Sequence, residues 1–457
     1  MRALLIRDHY PFNREQIWLP MDLQKVAAQL DASGVKTDVV DLNLSRLENI
    51  NLSHYDRIGI GIIGAPYVPR TMDLARKIKE RTGRAPLIGG QMMETLPQLH
   101  FRQIFGESAV QITTEQEKAQ AFERTTMPPV YHVSVAGRIR EMPSDEAKKY
   151  FENEFSFFVS QGCKYGCKFC AAKKKMPEQF SQTVKDDLEA ICERAQENGI
   201  GRIEMYLSSL DLFQNPDKFK DVLKVFAGAR EKYGIDVRIR GLSRIDSFLR
   251  AMKNKPEFRK LIPAAGLYCI GFGVDGTTVE VWKSQHKGNW SLADSDQALK
   301  LCKELKVTPE ALIVLGYHSN SGYEGDNAES LKKDAGYAIE SAKRFGAVAR
   351  PYVAKDCAPG NDGWVEPRWS GQVSHILNNP ILFKNLDYAA LASDVTHPDP
   401  GFRGRVNEAY MKIIDMLRKD GLCATVPVAP YKDGSGAFDK EWNEASDKFN
   451  ALVPFDR

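Results

Sequence analysis

Short apolar runs alternating with amphipathic stretches, first near the start of the chain and again from residue 155, constrain the fold more than any other feature of the sequence. "RALLIR" reads as a buried strand, and Leu23, Val26, Ala27 and Leu30 then recur at helical spacing before Gly34 ends the helix. "TDVVDL", "RIGIGII" and "APLIGG" read as further strands around the helix "RTMDLARKIKERTG". A second series opens at "FSFFVSQGC" and continues through "RIEMYLSS", "DVRIRGLS", "LYCIGFGV", "EALIVLGYH" and "AVARPYVA". Helices are expected between them around 183–198, 216–233, 246–260, 292–305 and 327–345. Parallel strands need a crossover connection, so such alternation builds parallel sheets covered by helices, with ligands at the carboxyl ends of the strands.

The chain has 457 residues, enough for two or three domains, and its 43% apolar and 27% charged residues are an ordinary globular balance. The expected fold class is α/β. A doubly wound, Rossmann-like domain is read over 1–123, a linker over 124–154, a partial (β/α)6 barrel over 155–364 and a small, mostly helical C-terminal domain over 365–457. Val406, Tyr410, Ile413, Ile414 and Leu417 mark one amphipathic helix of that last part. Lys+Arg 63 against Asp+Glu 60 leaves a net charge of +3, too small to imply a nucleic-acid partner. "MRALLIRDHYPFN" lacks the long apolar core of a secretion signal, and no apolar run approaches the ~20 residues needed to span a bilayer. The expectation is a cytoplasmic protein without a membrane partner, whose clustered cysteines bind metal or work in redox chemistry.

Cys163, Cys167 and Cys170 lie in "SQGCKYGCKFC", directly after the first strand of the second series. Three thiols with no fourth cysteine or histidine nearby fall one short of a structural zinc site. Their spacing lets one loop ligate three irons of a cubane, with Gly162 and Gly166 giving the backbone room, and leaves the fourth iron open to a substrate or cosubstrate. A zinc site completed by a distant residue, or three inert thiols, are the other readings of the spacing.

The loop resembles the CxxxCxΦC signature of the radical S-adenosylmethionine (SAM) enzymes, with Phe169 at the aromatic position. "IGFGVDGTTVEVWKSQHKGN" resembles that family's fourth-strand segment, with Asp275 where Glu is commoner, and "LIVLGYHSNSGYEGD" a loosened fifth-strand segment. The resemblance implies a 4Fe-4S cluster on Cys163, Cys167 and Cys170 and SAM as cosubstrate, its adenine at Phe169. It also implies that Ser208, Ser209 and Asp211 of "YLSSLDLF" meet the methionyl amino group and that Arg244, or more weakly Arg240, meets the carboxylate. Strand-end hydroxyls and a surface salt bridge are the plainer readings of those two sets. Lys173, Lys174 and Lys175 read as a solvated face or as the dock of an acidic electron donor such as flavodoxin or ferredoxin.

The N-terminal alternation, with Gly89 and Gly90 in "IGGQMMETLPQLHF" and the sequence "VQITTEQEKAQAFER", resembles the cobalamin-binding domain that precedes the radical barrel in one branch of the family. The resemblance implies cobalamin, with Gly61, Gly64, Gly89 and Gly90 making room for the corrin and its nucleotide tail; a protein-interaction or degenerate module is the other reading of a doubly wound domain. No D-x-H-x-x-G loop is present, so the lower face of the corrin should lack a protein imidazole. Cys192, Cys269 and Cys302 read as small core hydrophobes and Cys423 as structural. Cys357 stands in a strand-end loop, as a loop cysteine, radical quencher or extra ligand, while His9 and His318 follow strands as polar loop residues.

The function implied is a C-methyltransferase that carries methyl from methylcobalamin to an unactivated carbon of a small-molecule or peptide substrate, through a deoxyadenosyl radical. A radical rearrangement, ring contraction, oxidation or coupling without methyl transfer is the second enzyme reading. A non-catalytic iron–sulfur or zinc module is the third.

Overall fold

The structure, a computed structural model, describes residues 1–9, 17–171, 177–287, 291–319, 325–422, 428 and 430–431. They belong to two compact units: Met1–Gly162, Pro177–Gly241 and Glu257–Tyr268 form the first, and Cys163–Met176, Leu242–Pro256 and Cys269–Arg457 the second. The division falls inside the second β–α series.

The first unit opens with strands β1 (Arg2–Arg7), β2 (Lys36–Asp41), β3 (Arg57–Gly61), β4 (Leu87–Gly89) and β5 (Val110–Gln111). They form one parallel sheet in the order β2-β1-β3-β4-β5. Helices α1 (Met21–Ala32), α2 (Val68–Thr82), α3 (Gln98–Phe105) and α4 (Glu115–Ala121) connect and follow these strands. β1 buries five of its six residues, as a central parallel strand covered on both faces must. Leu23, Ala27 and Leu30 of α1, the stripe read from the sequence, pack against Ala3, Leu5 and Val35. In this strand order the connections leave in opposite directions on either side of β1, which opens a crevice at the carboxyl ends of β1 and β3.

The segment read as a linker contains α5 (Ala136–Glu141) and α6 (Ser144–Phe151), both packed on α7 (Val184–Glu197). Ile139, Ala147, Tyr150 and Phe151 are buried there, which is why the segment is ordered rather than a solvated tether. β6 (Phe155–Phe158) follows, then an antiparallel pair, β7 (Ser160–Gln161) with β8 (Gln179–Phe180). β9 (Arg202–Ser208), α8 (Pro216–Tyr233) and β10 (Asp236–Ser243) continue the series, with β10, β9 and β6 parallel neighbours in that order. The single helix expected over 246–260 is two, α9 (Ile245–Asn254) and α10 (Phe258–Ala264), because Pro256 interrupts the hydrogen-bond ladder.

The second unit carries most of β11 (Leu267–Gly273), then α11 (Val279–Ser284), α12 (Leu292–Glu304), β12 (Thr308–Leu315), α13 (Ala328–Phe345) and β13 (Val348–Val353). β13, β12 and β11 are again parallel neighbours. All six strands read in the second series are present, each within two or three residues of its expected bounds. α14 (Ser370–Asn378) and α15 (Pro400–Lys419) follow; α15 packs on α13, β12 and β13, and Val406, Tyr410, Ile413, Ile414 and Leu417 are its buried residues together with Ala409. The fold is α/β with parallel sheets. Among the described residues no helix is long and apolar enough to cross a membrane.

Candidate functional site

Site residues gather in each unit, at or beyond the carboxyl ends of strands. In the second unit Cys163, Cys167 and Cys170 lie on one irregular loop and form no disulfide, Cys167 buried and the others partly exposed. Gly162, which precedes them, has φ 91°, a conformation other residues resist. The loop is tied down by its backbone: Lys168 N–H donates to Gln285 O at 3.1 Å, Asp362 N–H to Lys168 O at 3.4 Å, and the Tyr388 hydroxyl to Phe169 O at 3.2 Å. Among the described residues no three His, Cys, Asp or Glu side chains converge on one ion. A cubane does not ask for that, because its irons occupy separate corners.

Two cations stand against this loop. Arg244 Nη1 lies 3.8 Å from Cys167 Sγ, its guanidinium 3.7 Å above the Tyr165 ring, while Nη2 donates to Lys287 O at 2.6 Å and Nε to Asp246 at 2.9 Å. Arg244 is therefore buried at the cysteine loop rather than in a surface salt bridge. Lys287 is ion-paired with Asp275 and lies 5.2 Å from the Phe169 ring. A Cβ on Gly273 would come within 2.7 Å of Lys287 Nζ, so that glycine makes room for the pair. Burial pushes the Cys167 thiol up, and Lys287 and Arg244 pull it back. Three thiols with two buried cations suit an anionic cluster. Tyr317, fully buried, packs its ring 5.8 Å from Phe169.

In the first unit a cavity of about 360 Å³ opens at the carboxyl ends of β1, β3 and β4, where the strand order places a crevice. Arg7, Trp18, Gly61, Gly89, Gly90 and Ser208 are among its walls, and no histidine is among the described lining residues. Gly64, expected with the other glycines, does not line it. Gly90 has φ 111° and a Cβ there would collide with the Ile62 carbonyl; at Gly61 one would lie 2.8 Å from Leu23 Cδ2. These two glycines thus answer the needs of the turn and of α1 as well as the cavity. The volume is in the range of small-ligand sites, so of a corrinoid it suits the nucleotide tail rather than the whole ring.

The turn Ser208, Ser209, Asp211 does not act as one group, since neighbouring strand residues point to opposite sides. Ser208 goes to the cavity. Ser209 Oγ donates to Glu178 Oε1 at 3.5 Å, as does Ser160 Oγ at 2.8 Å. Burial pushes Glu178 above the usual carboxylate range, and the neighbouring buried Asp211 adds to this. A half-buried acid and a buried one close enough to repel each other suit an ammonium group. Glu178 was not legible, because nothing in "MPEQF" distinguishes it from a surface acid. Arg240, the weaker carboxylate candidate, is instead engaged with Glu154, its Nη2 2.6 Å from Oε1.

Cys192, Cys269 and Cys302 are buried as read. Cys357 is fully buried, donates to Val395 O at 3.5 Å and has its thiol pushed up to about 12 by burial, so it is held as a protonated structural thiol. His9 is exposed. Lys173, Lys174, Lys175 and Cys423 lie outside the described residues.

The fold is the one seen in solved cobalamin-dependent radical SAM enzymes. The radical SAM methyltransferase TsrM from Kitasatospora setae, solved with tryptophan and a SAM analogue, superposes with TM-score 0.66 at 14% identity, covering 97% of this chain and 96% of that one. TsrM with cobalamin and a [4Fe-4S] cluster gives TM-score 0.65 at 13% identity over 99% and 100%. The cobalamin-dependent radical enzyme OxsB, with aqua-cobalamin and SAM, gives 0.57 at 15% identity over 98% of this chain and 66% of that one. No protein-family model and no curated protein sequence matches the chain. At such identities the likeness is one of fold.

Proposed function

We propose that this chain is a cobalamin-dependent radical SAM enzyme that methylates an unactivated carbon of a small molecule or peptide. The observation that supports it most is the pairing, in one chain, of a three-cysteine loop backed by Arg244 and Lys287 with a cavity at the switch point of a doubly wound sheet. TsrM, which shares the fold, is a methyltransferase that binds both groups.

Cys163, Cys167 and Cys170 would hold the cluster, and the walls around Gly61, Gly89, Gly90 and Ser208 would take the nucleotide tail of cobalamin. When bound, the cluster with SAM supplies a deoxyadenosyl radical, and the corrinoid supplies the methyl group. Arg244 and Lys287 counter the negative charge of the thiolates. Glu178, Ser209 and Asp211 offer acceptors to the methionyl ammonium, and Phe169 a flat surface to the adenine. Burial of Arg244, Lys287, Ser209 and Asp211 limits the access of water to a radical site. An electron donor of flavodoxin or ferredoxin type belongs to the same proposal.

Anaerobic purification with iron, sulfide and cobalamin supplied tests this. The expected outcome is a brown protein with near-equal corrinoid and a base-off spectrum, forming deoxyadenosine from SAM. Cys163→Ala, Cys167→Ala or Cys170→Ala should each abolish that cleavage. With methyl-deuterated SAM the product should gain a labelled methyl. Deoxyadenosine formed by a protein that refuses cobalamin would leave the rearrangement, oxidation or coupling reading, and a triple variant that still cleaves SAM would remove the cluster assignment.

A further inference from the structure

His318 follows β12 and Asp356 follows β13, two adjacent parallel strands of the second unit, at the end where β/α enzymes place their chemistry. Asp356 Oδ2 accepts from the His318 backbone N–H at 3.1 Å and from ring nitrogen Nδ1 at 2.9 Å. A carboxylate only accepts, so in the neutral ring Nδ1 carries the proton and Nε2 the lone pair. Among the described residues Nε2 has no hydrogen-bond partner, and 20% of the His318 side chain stays exposed.

The ring is fixed in place. It packs edge to face against Trp369 at 4.7 Å and Phe402 at 5.4 Å, and lies 4.8 Å from the His397 ring at a 31° tilt. His397 is the internal contrast: it is fully buried, its Nε2 donates to Gly316 O at 2.8 Å, and burial holds it well below the usual imidazole range. It is a neutral wall with the opposite tautomer.

Among the described residues, the other charged groups near the pair have partners elsewhere. Lys355 donates to Ala390 O at 2.8 Å, Arg403 to His397 O at 3.0 Å, and Arg368 lies 5.3 Å from the Trp369 ring. Asp326 binds the backbone N–H groups of Gly316 and Tyr317. None of them is hydrogen-bonded to the His318 ring.

We propose that His318, oriented by Asp356, is a proton acceptor for the substrate, which belongs to the class bearing a dissociable N–H or O–H group. The substrate X–H bond breaks, its electron pair stays on X, and Nε2–H forms, leaving an imidazolium opposite the Asp356 carboxylate. The inference rests on the enzyme reading above but holds for either radical outcome, since proton removal and the fate of the methyl group are separate steps.

The test uses the full chain labelled with 15N-histidine, and diethyl pyrocarbonate, which acylates an unprotonated ring nitrogen. At about pH 8 His318 should show the Nδ1–H tautomer and His397 the Nε2–H tautomer. Peptide mass mapping should find His318 carbethoxylated and His397 untouched. Asp356→Asn should populate the Nε2–H form of His318 and slow its modification about tenfold, because the neutral ring then presents the wrong nitrogen. An Nε2–H tautomer in the unaltered protein, or a His318 that stays unmodified while exposed His9 reacts, overturns the proposal. So does an Asp356→Asn variant that melts normally and reacts at the original rate. If that variant fails to fold, the tautomer and the modification of the unaltered protein still decide. Cluster and corrinoid absorbance, read on the same samples, report on the enzyme reading separately.

Discussion

Asp326 and Asp334 are buried carboxyl groups beside the strand ends that carry Tyr317 and Asp275. Asp326 accepts from Gly316 N–H at 2.8 Å, Tyr317 N–H at 3.1 Å and Ser330 Oγ at 2.8 Å, whereas Asp334 accepts from Thr277 Oγ1 at 2.6 Å and its Oδ2 has no hydrogen-bond partner among the described residues. Burial pushes Asp326 up to about 6, and it pushes Asp334 well above the usual range, where the charge of Asp326 adds to the effect. The folded protein therefore holds protons that the unfolded chain releases, so this pair favours folding below the usual carboxylate range; the Asp326 share is lost as pH rises through about 6, and the Asp334 share as pH rises well above the usual carboxylate range. Asp334→Asn keeps an acceptor for Thr277 and removes the charge. It should raise the melting temperature near pH 7.5, with the gain shrinking toward pH 4.5; an equal gain at both pH values would show that charge burial is not the cause. Neither residue stood out in the sequence: Asp334 sits in an amphipathic helix, where an aspartate reads as solvent-facing until the fold buries it, and Asp326 ends the loop before that helix, where an acid is ordinary.

On the scale of elements, one buried ion pair joins α1, the segment before α5, and α7 within the first unit. Lys25 Nζ donates to Asp187 Oδ2 at 2.6 Å, Val133 O at 2.8 Å and Thr183 Oγ1 at 2.9 Å. Asp187 Oδ1 accepts from Ser134 Oγ and Val135 N–H, both at 2.8 Å. Every proton of the ammonium has an acceptor, which is the condition under which a buried pair is tolerated. Lys25→Ala leaves the carboxylate buried without its cation and should destabilise the protein by about 3–5 kcal/mol, whereas the double variant Lys25→Met, Asp187→Leu should recover most of that loss. Denaturant unfolding of the three proteins checks it, and a single variant that costs no more than the double removes the pair from this role. The helices and strands themselves were legible because each rests on local periodicity, and the break between α9 and α10 is visible in hindsight at Pro256. The partner of Lys25 was not legible, because it lies 162 positions away.

For the whole molecule, a cofactor held in the cavity at the carboxyl ends of β1, β3 and β4 would tie stability to its binding. Ligand that binds only the folded state raises the melting temperature in proportion to the logarithm of its concentration over Kd. Cobalamin should do so for the unaltered protein and not for Gly90→Ala, whose Cβ meets the Ile62 backbone at a φ of 111°. Calorimetric titration with hydroxocobalamin checks this, and a Gly90→Ala protein that binds normally would detach the turn from the ligand. The sequence by itself determined both β–α series, the cysteine loop and the likeness that this loop carries, because periodicity, turn residues and thiol spacing are written within a few neighbouring positions. Only the tertiary structure decided that Arg244 and Lys287 lie against the cysteine loop and that Ser208 and Ser209 part company. It also decided that Glu178 feels the charge of Asp211, that Gly64 stands outside the cavity, and that His318 is held by Asp356. Each of these depends on where separate strands end beside one another, and register and burial between distant segments are set by packing, which no local pattern records.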